Sequence, residues 1–238
     1  MSAKYELTQE TIKNSNGTIL HRIRALKDFG DVKAGDLGGF IQSENNLSQE
    51  CSCWVYDEAQ VSGAAKVSGN ARVFGSAQLY DEAQVFGAAK VSSNARVFGA
   101  AQLYDEAWVS GNARVFGSAQ VYRKALVYDE ALVYDDARVY DEAWVSGNAR
   151  VFGAAQLYDE AWVSGNARVF GTSQVFGVAQ IYDEALVYDD ARVYDEAWVS
   201  GNARVYDDAR VYDEAWVSGN ARVFRYAIVN GDMNMSTE

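Results

Sequence analysis

The chain has 238 residues, with 33 Asp and Glu against 21 Lys and Arg, for a net charge of -12. That balance argues against a general nucleic-acid binder, which needs a basic surface to neutralise phosphates. No Pro, two Cys and one His exclude a three-histidine metal centre and a disulfide scaffold, and leave only His21 for any Ser-His-Asp or Cys-His system. The start MSAKYELTQE is polar and no apolar run reaches roughly 18 residues, so we expect no membrane span, no secretory signal and a cytoplasmic location.

Residues 1–50 carry no repeat. Asn16-Gly17 is a hairpin turn signal, and KYELT and TILHRIRAL on either side alternate enough to be strands. DFGDVKAGDLGGFIQSENNLSQE, rich in Gly and Asp, reads as compact loop. His21 has no partner Cys or Asp in a recognisable motif, so we read it as structural. Cys51 and Cys53 form a C-x-C with no second pair to complete a zinc site. We expect this segment to cap the open end of the repetitive region that begins after residue 50, covering bare strand edges.

From Val55 to Val229 an aliphatic residue recurs every sixth position: 26 Val, three Leu (Leu79, Leu103, Leu157) and Ile181. Two residues before each stands a small one, Ala in 28 cases, Cys53 and Ser173 in the others. A six-residue period smears around a helix, but Ala and Val two apart share one face of a strand. The next two residues, mostly Asp-Glu or Gly-Asn, have turn chemistry. Each hexad is therefore a short strand and a corner, and three hexads close a triangular coil of 18 residues. Ile41, Leu47 and Cys53 fall in the Ala register, so the coil can begin imperfectly near Ile41.

This unit, A-x-V-[YFS]-[DG]-x, resembles the hexapeptide-repeat family. The resemblance implies an all-β fold, a left-handed parallel β-helix of about ten triangular coils with a small N-terminal β cap. It divides the chain into a cap at 1–50, the β-helix at 51–232 and a tail at 233–238. Enzymes of the family carry a loop that breaks the repeat and a His beside the acyl-donor site; here no loop interrupts and His21 lies outside. The stretch RIRALKDFGDVKAGDLGGFIQSENNLS followed by CWVYDEAQV also resembles uncharacterised hexapeptide-repeat proteins of phages and prophages, which implies a host-cell cytoplasm.

Period 18 sorts the outward residues onto three faces. The first carries every Trp, namely Trp54, Trp108, Trp144, Trp162, Trp198 and Trp216, beside a row of Ser. We expect this stripe to be an interface. The second carries Arg96, Arg114, Arg150, Arg168, Arg204 and Arg222 next to Phe or Tyr, where we expect cation–π stacking. The third has Gln and Arg with Tyr, for which we expect tyrosine and amide ladders. The corner after it is acidic: Asp105, Glu106, Asp141, Glu142, Asp159, Glu160, Asp195, Glu196, Asp213 and Glu214. That edge is read as solvated charge, as calcium-bridging oxygens or as a mimic of DNA.

The function we expect is a non-enzymatic rigid rod for self-assembly or protein binding, phage-related, with no catalytic residue, cofactor or resident metal. Its partners are a second copy through the Trp face and a possible host protein, with no direct nucleic acid and no membrane. The alternatives are an inhibitor of a host DNA-binding or defence protein through the acidic edge, and a degenerate hexapeptide acyltransferase.

Overall fold

The computed structural model describes residues 3–231 and 233–237. The outer limits of the three-part division, at residues 1, 232 and 238, lie outside the described residues. Strands β1 (Tyr5–Lys13), β2 (Ile19–Ala25) and β3 (Leu37–Ile41) come first. After them short strands recur every six positions from Trp54-Val55 to Ile228-Val229, each of two residues except Trp216–Gly219. Together with β1, β2, β3 and Asn234–Thr237 they assemble into three sheets of 13, 11 and 10 strands, one per side of a prism. From Trp54 onward every strand pairs in parallel with the one 18 residues on, as Trp144 with Trp162 and Val145 with Val163, while β1, β2 and β3 pair antiparallel in chain order. The molecule is thus an all-β parallel solenoid. It has about eleven turns rather than ten because β3 pairs in parallel with Gln60-Val61, and Asn234–Thr237 adds a rung beyond Trp216–Gly219.

The interior reflects the size of the repeated residues. The inward Ala and aliphatic residues of the hexads are buried, three of each per coil, as far as the last coil, where Ala227 is exposed. Cys53 takes an Ala position and is buried, as its spacing predicts. Ser173 does the same, and its hydroxyl donates to Phe170 O at 2.8 Å, which offsets the cost of a buried polar group. Among the described residues no buried side-chain nitrogen or oxygen lacks a partner.

The corners need a left-handed residue. Asp129 sits at φ +58° and Gly147, one coil on, at φ +62°. Gly147 has a second reason to be glycine: a Cβ there would lie 3.0 Å from Gly165 N. Its N–H donates to Asp129 Oδ2 at 3.1 Å. The same bond joins Asp57 to Gly75, Asp81 to Gly99, Asp159 to Gly177 and Asp183 to Gly201. Corner Asp therefore serves the backbone, tolerating αL and accepting a corner N–H from the next coil.

The ladder is polar. Trp54, Tyr56 and Glu58 donate their N–H groups to Ala71, Val73 and Gly75 of the following coil. The bonds that flank each strand and turn each corner repeat this sense, while within the strands one N–H per side donates back, so the N-terminal end presents more carbonyls than N–H groups and needs donors. The cap supplies them. The Tyr5 hydroxyl donates to Leu47 O at 2.6 Å, and the Lys4 ammonium reaches Cys53 O at 3.0 Å and Glu50 O at 3.2 Å. Lys4 is 1% exposed. Burial pulls its pKa down, and burial pushes the adjacent Cys53 thiol up.

Candidate functional site

The first face departs from expectation at one end. Trp54 is 1% exposed and is not available as an interface residue. The cap folds over it, placing Tyr5 and Phe29 edge-on at 6.1 and 5.3 Å. The other five Trp are 40–45% exposed. They form one column with Leu126 and Gln180 between them. Trp108, Trp162 and Trp216 lean back over the preceding coil, and their indole N–H groups point to Ser92, Ser146 and Ser200 at 3.0, 3.4 and 3.5 Å. Those three Ser are buried beneath the rings, whereas Ser110 and Ser164, with no Trp on the next coil, are only half-buried.

On the second face the expected cation–π pairs between Arg and rings are absent among the described residues from Arg96 to Arg222. The rings stack on each other instead, nine in a row from Tyr80 to Phe224, with centroids 4.8–5.4 Å apart. The reason is the coil repeat itself. Parallel strands hold equivalent rings one strand spacing apart, which is stacking distance, so each ring face is taken by the next ring. A second row of eight runs from Phe86 to Tyr212, giving the tyrosine ladder expected of the third face. No hydrogen bond joins the Gln side chains of that face among the described residues.

The acidic edge is broken by Arg123 and Lys124. Arg123 pairs with Asp141, and Lys124 with Glu142 at 2.7 Å. Among the described residues no group of three or more acidic, His or Cys side chains is placed to hold a metal ion. His21 lies within β2 in the cap, its Nδ1 3.4 Å from Thr8 O, with no carboxylate against it among the described residues.

Three grooves on the outward faces bear on the site. One of about 770 Å³ lies along the third face near the C-terminal end, with Gln156, Gln174, Asp190, Arg192, Asp208 and Arg210 on its walls. Thr172 Oγ1 donates to Asp190 Oδ1 at 2.6 Å on its rim. Two smaller grooves of about 380 and 390 Å³ lie on the second face where Leu132 and Leu186 interrupt the Arg row. Sequence reasoning missed all three. The interruptions at Leu132 and Leu186, 54 residues apart, were the available signal.

A model of the YdcK β-solenoid repeat matches residues 65–81, 107–123, 143–159, 179–195, 197–213, 203–219 and 215–231. The chain is also similar to a protein of Escherichia coli (strain K12) named as an uncharacterized acetyltransferase, YdcK. It is 42% identical over 84 residues, which make 32% of this chain and 26% of that protein's length. The chain thus spans about a quarter of this curated relative. The similarity overturns the expectation of a non-enzymatic rod, and with it the DNA-mimic alternative. It favours the acyltransferase alternative, which the missing loop and the placement of His21 had demoted. The matches lend the phage origin no support.

Proposed function

We propose that this chain is the solenoid portion of an acyl-transfer enzyme, moving an acetyl group from a thioester donor to an acceptor hydroxyl or amine. The observation that carries the reading is the 42% identity to an uncharacterized acetyltransferase over 84 residues. We place the chemistry in the groove along Arg192 and Arg210, about 770 Å³ in volume. Exposed guanidinium groups bind phosphates or carboxylates of a donor through paired hydrogen bonds. Asp190 and Asp208 stand on the same groove and can accept the proton released as the acceptor attacks the thioester carbon. The carbon–sulfur bond then breaks, and the thiol leaves with a proton. The two free thiols, Cys51 and Cys53, fit a reducing cytoplasm.

The test is release of free thiol from acetyl-coenzyme A, with binding of the donor monitored in parallel. Under this reading Arg192→Ala with Arg210→Ala raises KM, Asp208→Asn lowers kcat, and His21→Ala changes neither. Turnover lost on His21→Ala alone moves the base to the cap. A chain that neither binds acetyl-coenzyme A nor releases thiol above buffer overturns the proposal.

A further inference from the structure

The Trp column carries a regularity that neither the fold nor the acyl-transfer reading uses. Every exposed Trp is preceded by Asp-Glu-Ala: Glu106 stands two residues before Trp108, Glu142 before Trp144, Glu160 before Trp162, Glu196 before Trp198 and Glu214 before Trp216. Where the column lacks Trp, the acid is lacking too, as in Gly87-Ala88-Ala89-Lys90, Arg123-Lys124-Ala125-Leu126 and Gly177-Val178-Ala179-Gln180. The spacing puts each Glu and its Trp on the outward side, about 7 Å apart along the strand. All five Glu are exposed. Glu142 pairs with Lys124, which also attracts Glu106 one coil back, while Glu160, Glu196 and Glu214 form no ion pair among the described residues.

The rings are suited to stacking. Trp108, Trp162 and Trp216 have their N–H groups turned down onto Ser, so these three rings lie over the sheet, Trp162 and Trp216 with an apolar side outward; Trp144 and Trp198 stand edge-on to them at 66° and 64°, and Lys90 Nζ lies 5.6 Å over the Trp108 ring. At about two-fifths exposure the five rings present roughly 100 Å² each, or about 500 Å² together, at the upper end for a monomer's largest apolar patch. The strip is long and narrow. It covers six coil steps from Trp108 to Trp216, about 29 Å. A stable protein interface takes about 800 Å² per partner and needs breadth that this strip lacks. An extended peptide would seek free backbone groups, but those of the strands are consumed in the ladder.

We infer that the Trp column binds a linear amino-glycan, a β-linked polymer of hexosamine units with free amines. Such a polymer has flat rings with apolar C–H faces that stack on Trp. It carries one ammonium per ring, which meets the Glu two residues away. Charge complementarity selects it over anionic polymers, which the acidic edge repels. The inference does not rest on the acyl-transfer reading, although free amines of this kind are acetyl acceptors.

Titration of the full chain with hexaglucosamine, read by Trp fluorescence and calorimetry, tests this. The expected result is saturable binding that weakens with salt and falls about tenfold when the ligand is fully N-acetylated to chitohexaose. Trp144→Ser with Trp162→Ser removes it, Glu160→Gln with Glu196→Gln weakens it, and Trp162→Phe, which keeps a ring, largely retains it. Should the Ser variant fail to fold, the Glu and Phe variants still decide. Absence of binding to hexaglucosamine overturns the inference, as does equal affinity for chitohexaose. So does hexalysine binding as tightly and being lost in the same variants, which would make the occupant a basic peptide. A wild-type dimer by light scattering that the Trp→Ser change dissolves would assign the strip to a second copy instead.

Discussion

The cap and the solenoid solve the same problem with opposite means. In the solenoid each coil finds its hydrogen-bond partners and its packing in the next copy of itself. Small side chains therefore suffice, and Ala and Val fill the interior. At the N-terminal end there is no preceding coil. Individual large side chains do there what backbone does elsewhere: Lys4 and Tyr5 stand in for absent N–H groups, and Trp54 with Phe29 covers the open core. The difference teaches that a repeat is forgiving of length and intolerant at its end, because only the end depends on single residues.

Trp54 and Trp162 occupy the same column, so exchanging each for Ala sets the two regions against each other. Trp54→Ala empties a fully buried site and is expected to cost about 3–5 kcal/mol. Trp162→Ala, on an exposed ring, is expected to cost about 1 kcal/mol. Denaturant melts of both variants measure the contrast, and equal losses would break it.

Lys4→Met is the next largest change. Methionine fills the same space without the burial cost of an ammonium, but the Cys53 and Glu50 carbonyls stay behind without their donor. The loss is expected at about 1–3 kcal/mol, read as a lowered melting midpoint. A variant as stable as the parent would mean that water replaces the ammonium there.

The smallest effect is a pH dependence that comes from both regions. Burial raises the phenol pKa of Tyr5 in the cap and of several ladder tyrosines, with Tyr140 pushed up to about 12. A raised value means that the folded chain holds its protons longer than the unfolded one. This stability is complete below the free phenol's value of about 10 and is lost as pH climbs from there through the raised values. Lys4 has the opposite sign. Its lowered value makes its contribution complete above about 10.4 and lost as pH falls through the folded value. The tyrosines outnumber the lysine, so urea midpoints are expected to fall above about pH 10. Tyr140→Phe makes that fall slightly shallower, and an unchanged slope would show that ladder burial does not carry it.

Much of the solenoid was legible because one period fixes a strand, a corner and an inward pair at once. Cys53 was placed in the core by spacing alone. The corner acids were legible as acids but not as backbone partners, since their role depends on where the next coil's Gly147 or Gly177 N–H falls. The Arg row misled for a related reason. Sequence neighbours such as Arg150 and Phe152 suggested a pair, yet each ring's nearest face belongs to a residue 18 positions away. Trp54 misled because the repeat promises exposure and the non-repeating cap removes it. The candidate groove around Arg192 and Arg210 was not legible at all, being shaped by the heights of side chains on successive coils.

By itself the sequence determined the period, the inward Ala and aliphatic residues of the solenoid and the sorting of Trp, Arg and Tyr onto three sides, because all of these depend only on the count of residues between repeats. Tertiary structure alone decided which groups meet along the axis: ring on ring, corner Asp on the next coil's N–H, Trp on Ser. It also decided that Lys4 and Tyr5 close the N-terminal end. The physical reason is that a parallel ladder has a direction, and the donors and acceptors left over at its ends appear only once the coils are stacked.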